Sequence, residues 1–200
     1  MNNRDKSILI KIIKETAVIA DIIYKLDEST FLASEEKMRA VNMTLINIGE
    51  LVKNISQDFR SRHQNIPWKD IAGFRDVAAH GYFTLRMTDV WIYAQKELPV
   101  VADNIKIIVG AIDTRCGLRC DGCSYIESHN CGECIKTNGN PFHGKCPVAE
   151  CCQSKNFLHC GECPDIPCDL LSQYSCDSEH GDNPPGKRIE QCKEWAKIFL

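Results

Sequence analysis

The chain has 200 residues and a formal net charge of −3 at pH 7, and its length allows one or two domains. Residues 1–113 carry fifteen basic and fifteen acidic side chains, whereas the remainder carries nine and twelve. Neither part has the basic excess with which proteins hold long nucleic acids by counterion release. A nucleic-acid substrate would therefore have to be bound by a few local charges.

The N-terminus begins with charged residues between Asn2 and Lys6, and the short apolar run Ile8–Ile10 is interrupted by Lys11 and Lys14. This pattern is typical neither of a signal peptide nor of a membrane span. We therefore expect a cytoplasmic protein that makes no contact with a membrane.

Apolar residues recur at three- and four-residue steps through the first sixty positions and predict two amphipathic helices. The first runs from Asp5 to about Asp27, and residues 27–30 form a turn. The second begins near Ser34, and its apolar stripe continues to Phe59. The 3-4 spacing of that stripe favours close, nearly antiparallel packing against the first helix.

A polar connection at residues 60–67 precedes a third and shorter helix. This helix covers roughly Trp68–His80, and Gly81 is its expected terminator.

A fourth helical segment is expected to be capped by Thr88 and Asp89. Pro99 either opens a fifth helix or kinks a continuous one. The apolar stripe through residues 91–112 again has the 3-4 spacing. Three such stripes with short connections predict an all-α, up-and-down helical bundle for residues 1–113.

The residues best suited to chemistry in this bundle are Arg75, His80 and Tyr82, which fall within eight positions. On a regular helix Arg75 and Tyr82 lie about 20° apart around the axis, whereas His80 lies about 140° from Arg75. One helix therefore does not direct all three at one point. A second copy of the chain across a twofold axis could bring His80 near Arg75 of the partner.

Histidine can act as a general acid or base, and arginine can hold a phosphate and stabilise the charge that develops on it. The pair suits metal-free RNA cleavage, in which a ribose 2′-hydroxyl attacks the neighbouring phosphate. The alternative is structural: Arg75 pairs with a nearby acid, and His80 interacts with the dipole at a helix C-terminus.

The motif Arg75-x4-His80-x-Tyr82 resembles the signature of the HepT family, whose members are HEPN-superfamily toxins of prokaryotic toxin–antitoxin pairs. The resemblance covers about residues 5–113. Further segments match in order and spacing, namely Ile46-Asn47-Ile48-Gly49-Glu50, Ile66-Pro67-Trp68, Gly73-Phe74, Val90-Trp91 and Leu98-Pro99.

The resemblance implies an all-α homodimer with a metal-independent ribonuclease centre at the dimer cleft and RNA as its substrate. Arg75 and His80 would be the catalytic pair, with Asp76 as the polar residue that follows the arginine. It further implies a partner nucleotidyltransferase antitoxin of the MNT type, which can transfer AMP to the motif tyrosine, here Tyr82. Nucleotides on that tyrosine would crowd and charge the cleft.

All thirteen cysteines lie between Cys116 and Cys192, which predicts a separate cysteine-rich domain at residues 114–200. Without a secretory signal, CxxC pairs are better interpreted as metal ligands than as disulfides. Their two-residue gap lets both sulfurs reach one ion. The predicted metal ligands are Cys116, Cys120, Cys123, Cys131, Cys134, Cys146, Cys151, Cys152, Cys160, Cys163 and Cys168.

Structural Zn²⁺ is the default ion for four thiolates, and an iron–sulfur cluster is its competitor. Two or three ions fit the number of cysteines. Cys176 and Cys192 are isolated in the sequence and are not counted as ligands. His129, His143 and His159 could each replace a sulfur, but we expect each to face solvent.

The cysteine-rich part resembles a prokaryotic family of uncharacterised function that is taken to bind zinc. The resemblance is carried by an opening motif, Cys-Gly-Leu-x-Cys at residues 116–120, and a later block, Cys-Gly-Glu-Cys-Pro-x-x-Pro-Cys at residues 160–168. This second resemblance spans about residues 116–197. The leading hypothesis is a HepT-like toxin with a zinc-binding module. The alternative is a non-catalytic helical dimer that binds a nucleotide or a protein, with a metal-dependent adaptor or redox-sensing tail.

Overall fold

A computed structural model describes residues 1–80 and 85–199, with the backbone alone for residues 78–80. The described residues form helices, turns and irregular segments without a β-strand, which confirms the all-α prediction. Contacts divide the chain into two compact units, Met1–Val109 and Gly110–Leu200. Within the described ranges, no helix combines the length and the apolar character needed to cross a membrane.

The first unit is a helical bundle in which α3 packs against both α1 and α5. Its helices are α1 (Asn3–Ile23), α2 (Glu28–Leu32), α3 (Glu35–Lys53), α4 (Gln57–Arg62), α5 (Trp68–His80), α6 (Met87–Ile92) and α7 (Leu98–Gly110), with a π-helical turn at Tyr93–Glu97 between the last two.

The apolar stripes seen in the sequence supply the core of this bundle. Burial of these side chains is the main favourable contribution to the folding free energy. Core side chains from α1, α3 and the last two helices are Leu9, Ile12, Ile13, Ile19, Val41, Leu45, Ile48, Val52, Trp91, Ala94, Leu98, Val101 and Ile105.

The second predicted helix is divided, because α3 ends at Lys53 and α4 begins after Ser56. The Ser56 hydroxyl accepts the Phe59 N–H at 3.2 Å and so caps α4. The Ser56 hydroxyl and N–H both donate to the carboxylate of Asp5, at 2.6 and 3.0 Å. Asp5 is 1% exposed, and although burial alone would raise its pKa, the hydrogen bonds from Ser56 hold that pKa below its ordinary value.

The predicted turn at residues 27–30 is the start of α2 instead. Asp27 is the N-cap of this helix, because its side chain accepts the N–H of Thr30 at 2.7 Å. The segment is therefore a helix start and not a chain reversal. The short helix carries Phe31, which is fully buried and packs on Trp91 with ring centroids 5.1 Å apart. The aromatic contact joins this short helix to α6.

Near Pro99 the helical segments follow one another without a break from Met87 to Gly110, and Pro99 lies in the first turn of α7. Proline has no N–H to donate to the carbonyl four residues earlier, and the π-helical turn that ends at Glu97 accommodates this loss. The predicted cap at Thr88 and Asp89 is wrong, since Arg86 occupies the N-cap and makes no side-chain cap hydrogen bond.

The second unit contains short helices around a small core. They are α8 (Tyr125–Ser128), α9 (Pro147–Ser154), a 3-10 turn (Cys160–Glu162), α10 (Asp169–Ser175) and α11 (Lys187–Phe199). The core side chains are Val148, Ala149, Leu158, Leu171, Ile189 and Trp195, together with Cys134, Cys152, Cys160 and Cys192. Thiols therefore take the positions that aliphatic side chains occupy in an ordinary core.

Candidate functional site

The predicted catalytic arginine lies on α5 at its contact with α3. The guanidinium of Arg75 forms an ion pair with the carboxylate of Glu50 on α3. It also donates to Asp76 Oδ1 at 3.1 Å, and Lys53 Nζ donates to the same oxygen at 2.6 Å. Two ion pairs across the helices therefore set the direction of the Arg75 side chain, which is 30% exposed and accessible from solvent.

Asp76 remains ionised in this arrangement. The hydrogen bond from Lys53 is the main cause that holds the pKa of Asp76 below its ordinary value, with a further contribution from Arg75. A carboxylate that stays charged at neutral pH is a poor general acid. The contact that the structure shows for Asp76 is an ion pair with Arg75, alongside the one with Lys53.

The close approach of α3 and α5 at this point depends on Gly49. A Cβ added at Gly49 would lie 2.5 Å from the Cβ of Arg75 and 3.1 Å from the carbonyl oxygen of Ile71. Real side chains do not tolerate the first distance, so any larger residue would push the helices apart. Gly49 lies in the segment 46–50 that also carries Glu50.

Replacing Gly49 with alanine is expected to lower the free energy of unfolding by about 1–2 kcal/mol, because the clash outweighs the gain in helix propensity. Gly73→Ala on α5 is the matched control, since a Cβ there meets nothing within 4 Å. The control should raise the free energy of unfolding by about 0.5–1 kcal/mol. Urea unfolding followed by circular dichroism measures both, and equal effects at the two glycines would contradict the packing argument.

The other two motif residues, His80 and Tyr82, lie partly or wholly outside the residues that the structure describes. His80 is the last residue of α5, but its side chain lies outside the described residues. Tyr82 and the expected terminator Gly81 lie outside them as well. The roles assigned to His80 and Tyr82 therefore remain predictions.

The structural alternative for Arg75 is met in part, because Arg75 does pair with a nearby acid. Sequence reasoning did not assign roles to Glu50 and Lys53, which complete the cluster on α3. Their three-residue spacing, which places them on one face of a helix, is the signal that could have indicated them.

In the second unit, five cysteines lie around one small cavity of about 20 Å³. A volume of this size has room for a water-sized particle or a single ion. The thiols that line it are those of Cys151, Cys152, Cys160, Cys163 and Cys168, and the remaining wall is mostly apolar.

The thiols of Cys152 and Cys160 are the closest described pair, with their sulfurs 3.4 Å apart. Their mutual hydrogen bond and burial raise the pKa of Cys152, so the free thiol stays protonated at neutral pH. On the open side of the cavity, Lys155 Nζ lies 3.6 Å from the sulfur of Cys163.

Cys192 was set aside in the sequence as isolated, yet it is fully buried and forms a hydrogen bond with the thiol of Cys160. The reason is the packing of α11 on the 3-10 turn: a Cβ at Gly161 would lie 2.0 Å from the carbonyl oxygen of Cys192. Cys176, the other isolated cysteine, is exposed. Sequence spacing alone could not distinguish the two.

A separate thiol group contains Cys120, Cys123 and Cys131. Burial raises the pKa of Cys120 to about 11, and the neighbouring acids Asp113 and Glu133 contribute to the shift, followed by the two other thiols. The group lies in the irregular segment between α7 and α9.

Among the residues that the structure describes, no three His, Cys, Asp or Glu side chains converge as in a formed metal site. The three candidate histidines differ in their exposure to solvent. His129 and His143 are exposed, as predicted, but the prediction is wrong for His159, which is fully buried. Its Nδ1 accepts the N–H of Gly161 at 3.0 Å, and its ring packs on Trp195 at 5.4 Å.

Comparison with known proteins finds a family for each part of the chain. A model described as Ribonuclease HepT-like matches residues 12–108. A second model, described as Protein of unknown function (DUF3795), matches residues 112–173. No solved structure matches the chain.

Several curated relatives cover the first part. A provisionally named RNase of Caldanaerobacter subterraneus subsp. tengcongensis is 33% identical over 98 residues, which are 49% of this chain and 88% of the relative. A provisionally named RNase of Methanocaldococcus jannaschii is 31% identical over 116 residues, 58% of this chain and 100% of the relative. A probable ribonuclease HepT of Thermococcus cleftensis is 34% identical over 88 residues, 40% of this chain and 80% of the relative.

The helical bundle and the arginine on its α3–α5 contact define an all-α domain of the HEPN class. The chain belongs to the HepT-like ribonuclease family and continues into a cysteine-rich region of the second family.

Proposed function

We propose that this protein is a metal-independent endoribonuclease that acts as the toxin of a toxin–antitoxin pair. The observation that carries the proposal is the placement of Arg75 by Glu50 and Asp76 in a chain of the HepT-like ribonuclease family. The guanidinium is fixed in direction and still reachable by a phosphate. It can therefore offer two parallel N–H donors to phosphate oxygens.

Cleavage proceeds by attack of a ribose 2′-oxygen on the adjacent phosphorus while the bond to the 5′-oxygen breaks. His80 takes the proton of the 2′-hydroxyl as a general base, and the leaving 5′-oxygen takes a proton from water. Arg75 stabilises the extra negative charge on the phosphoryl oxygens in the transition state. The products are a 2′,3′-cyclic phosphate and a free 5′-hydroxyl, and no metal ion takes part.

The active form is a homodimer. Helix α5 is regular through His80, and this is the condition for the angle of about 140° between positions 75 and 80. Two copies related by a twofold axis would place His80 of one chain near Arg75 of the other. The shared cleft would contain two equivalent sites.

The cognate antitoxin is a nucleotidyltransferase of the MNT type. The Tyr82 hydroxyl attacks the α-phosphate of ATP, loses its proton and releases pyrophosphate, so that AMP is joined to the tyrosine oxygen. The added bulk and negative charge lie two residues from His80, and both oppose the binding of RNA. This part of the proposal rests on the position of the tyrosine in the family motif.

The cysteine-rich unit is a zinc-binding module with a structural role. The thiol lining and the small volume of the cavity at Cys160 fit a single thiolate-bound ion better than an iron–sulfur cluster. Bound zinc would supply the cross-link that a small apolar core lacks. Four of the five thiols of Cys151, Cys152, Cys160, Cys163 and Cys168 would supply its ligands, and the group at Cys120 would contribute to the site of a second ion.

The test is cleavage of a single-stranded RNA by the purified full chain in buffer with EDTA. We expect products that end in a 2′,3′-cyclic phosphate, a rate that added Mg²⁺ does not raise, and no cleavage of the same oligonucleotide with 2′-deoxyribose. Product ends are identified by mass spectrometry. Cleavage that requires Mg²⁺ would contradict the mechanism, and a protein that binds RNA without cleaving it would favour the non-catalytic dimer.

A further inference from the structure

An open groove of about 640 Å³ lies between α4 and α5, beside the Arg75 cluster. Its volume is in the range of ligand sites, about 300–1,000 Å³. The residues that line it are Gln57, Arg60, Ser61, Gln64, Trp68, Lys69, Ala72, Gly73 and Asp76.

One wall of the groove is formed by α4 and the turn after it, and the other wall is one face of α5. Positions 57, 60 and 61 come from α4, 64 comes from the turn, and 69, 72, 73 and 76 come from α5. The positions on α5 step by three, one and three residues, so they occupy one face of that helix. The four lining side chains of the first wall are polar, and the four positions on α5 carry no large apolar side chain, whereas a helical stripe with this spacing is usually apolar and buried. The groove is therefore a solvent-accessible surface between two helices that no apolar packing closes.

Two positive charges in the groove are available for a ligand. Among the described residues, neither Arg60 nor Lys69 takes part in an ion pair, although most basic side chains around them do. The Nε of Arg60 is buried and has no hydrogen-bond partner there. An unsatisfied buried donor is unfavourable, and an anionic ligand that bonds Arg60 would relieve this.

The floor of the groove is made by small residues. A Cβ at Gly73 would meet no protein atom within 4 Å, so this position opens directly into the groove. Next to it, Ala72 adds only a methyl group. A ligand can therefore approach the backbone of α5 closely along this line.

The groove ends at the catalytic cluster. Asp76 lines it and is bonded to Arg75 and Lys53, so its negative charge is already neutralised. From Lys69 to Asp76 the helix rises about 10 Å. A chain with regularly spaced phosphates could thus place one phosphate at Arg75 and the next ones along the groove.

We propose that this groove binds the RNA strand next to the phosphate that is cleaved. Arg60 and Lys69 contact backbone phosphates, while the amides of Gln57 and Gln64 bind ribose or base edges. The inference rests on the proposed ribonuclease function and adds the path of the substrate. It also explains how a protein without a basic excess holds RNA, since two local cations act beside the cleavage site.

The test measures binding without cleavage. The probe is a short, mixed-sequence, fluorescein-labelled RNA with 2′-O-methyl groups, which has no 2′-hydroxyl to attack the phosphate. Fluorescence anisotropy gives its Kd for the full-length wild type, for Arg60→Gln/Lys69→Gln and for Gly73→Leu. The last variant fills the groove without a change of charge, and leucine favours the helix over glycine.

We expect the Kd to rise at least about tenfold in both variants. In the double variant, the slope of log Kd against log salt should fall by about 1.4, since each lost single-strand phosphate contact contributes about 0.7. Lys6→Gln/Lys11→Gln removes the same charge from the exposed side of α1 and should leave Kd within about twofold.

Wild-type affinity in both groove variants would overturn this inference and leave the cleavage mechanism intact. Absence of binding by the wild type would overturn it too, while the separate cleavage assay still decides the ribonuclease function. Equal losses in the groove and α1 variants would mean that RNA responds to overall charge, which also contradicts a defined groove.

Discussion

Replacing His80 with alanine is expected to lower the rate of RNA cleavage by about 10²–10⁴-fold, the contribution of a positioned general acid or base. Arg75→Ala should lower the same rate by about 10²–10³-fold, which is the usual effect of removing a donor that stabilises transition-state charge. Arg75→Lys keeps the charge but not the two parallel N–H donors, so we expect little recovery. Initial rates on one labelled RNA measure all three.

The stability of the Arg75→Ala variant distinguishes a catalytic role of Arg75 from a purely structural one. Its ion pair with Glu50 is partly exposed, and such pairs contribute about 0–1 kcal/mol to the free energy of unfolding. The unfolding midpoint of Arg75→Ala should therefore change little while its activity is lost. Arg39→Ala and His180→Ala alter exposed residues of the same types and should retain full activity. Cleavage by His80→Ala at the wild-type rate would disprove the catalytic assignment.

Removing the metal is expected to unfold the second unit and leave the first unit helical. Structural zinc contributes on the order of 10 kcal/mol in small domains, and this unit has only a small apolar core to fold without it. Metal analysis should find zinc in the purified protein. After treatment with a strong chelator, limited proteolysis should cut within residues 110–199 and spare residues 1–80.

Two cysteine variants provide a matched comparison for this prediction. Cys160→Ser changes a buried thiol that lies 3.4 Å from the sulfur of Cys152, and it should lower the zinc content and expose the unit to protease. Cys176→Ser changes an exposed thiol and should do neither. A brown protein that contains iron would contradict the zinc assignment, because that colour indicates an iron–sulfur cluster. Equal loss of zinc in both variants would contradict the assignment of ligands.

The course of the bundle was largely predictable because helix periodicity is a local property. Stripes such as Val41, Leu45 and Ile48 must be buried on one face whatever lies opposite. The break at Ser56 was not predictable in this way. There Asp5, which is 51 positions distant in the chain, accepts the hydrogen bonds that the hydroxyl and the N–H of that serine donate.

The cysteine-rich unit shows the limit of spacing as a guide. Cys192 and Cys176 look alike in the sequence, but the packing of α11 buries the first beside Cys160 and leaves the second in solvent. The burial of His159 has the same origin, since its ring packs on Trp195 of that helix. Neither contact can be predicted from residues that are close together in the sequence.

The sequence by itself determined the all-α class, the cysteine-rich tail and the motif at Arg75, because these depend on residue type and local spacing. Only the tertiary structure decided what surrounds Arg75. The absence of a side chain at Gly49 lets α3 approach α5, and that approach brings Glu50 and Lys53 to the arginine and its neighbour Asp76. Such contacts join residues more than twenty positions apart, and only packing brings them together.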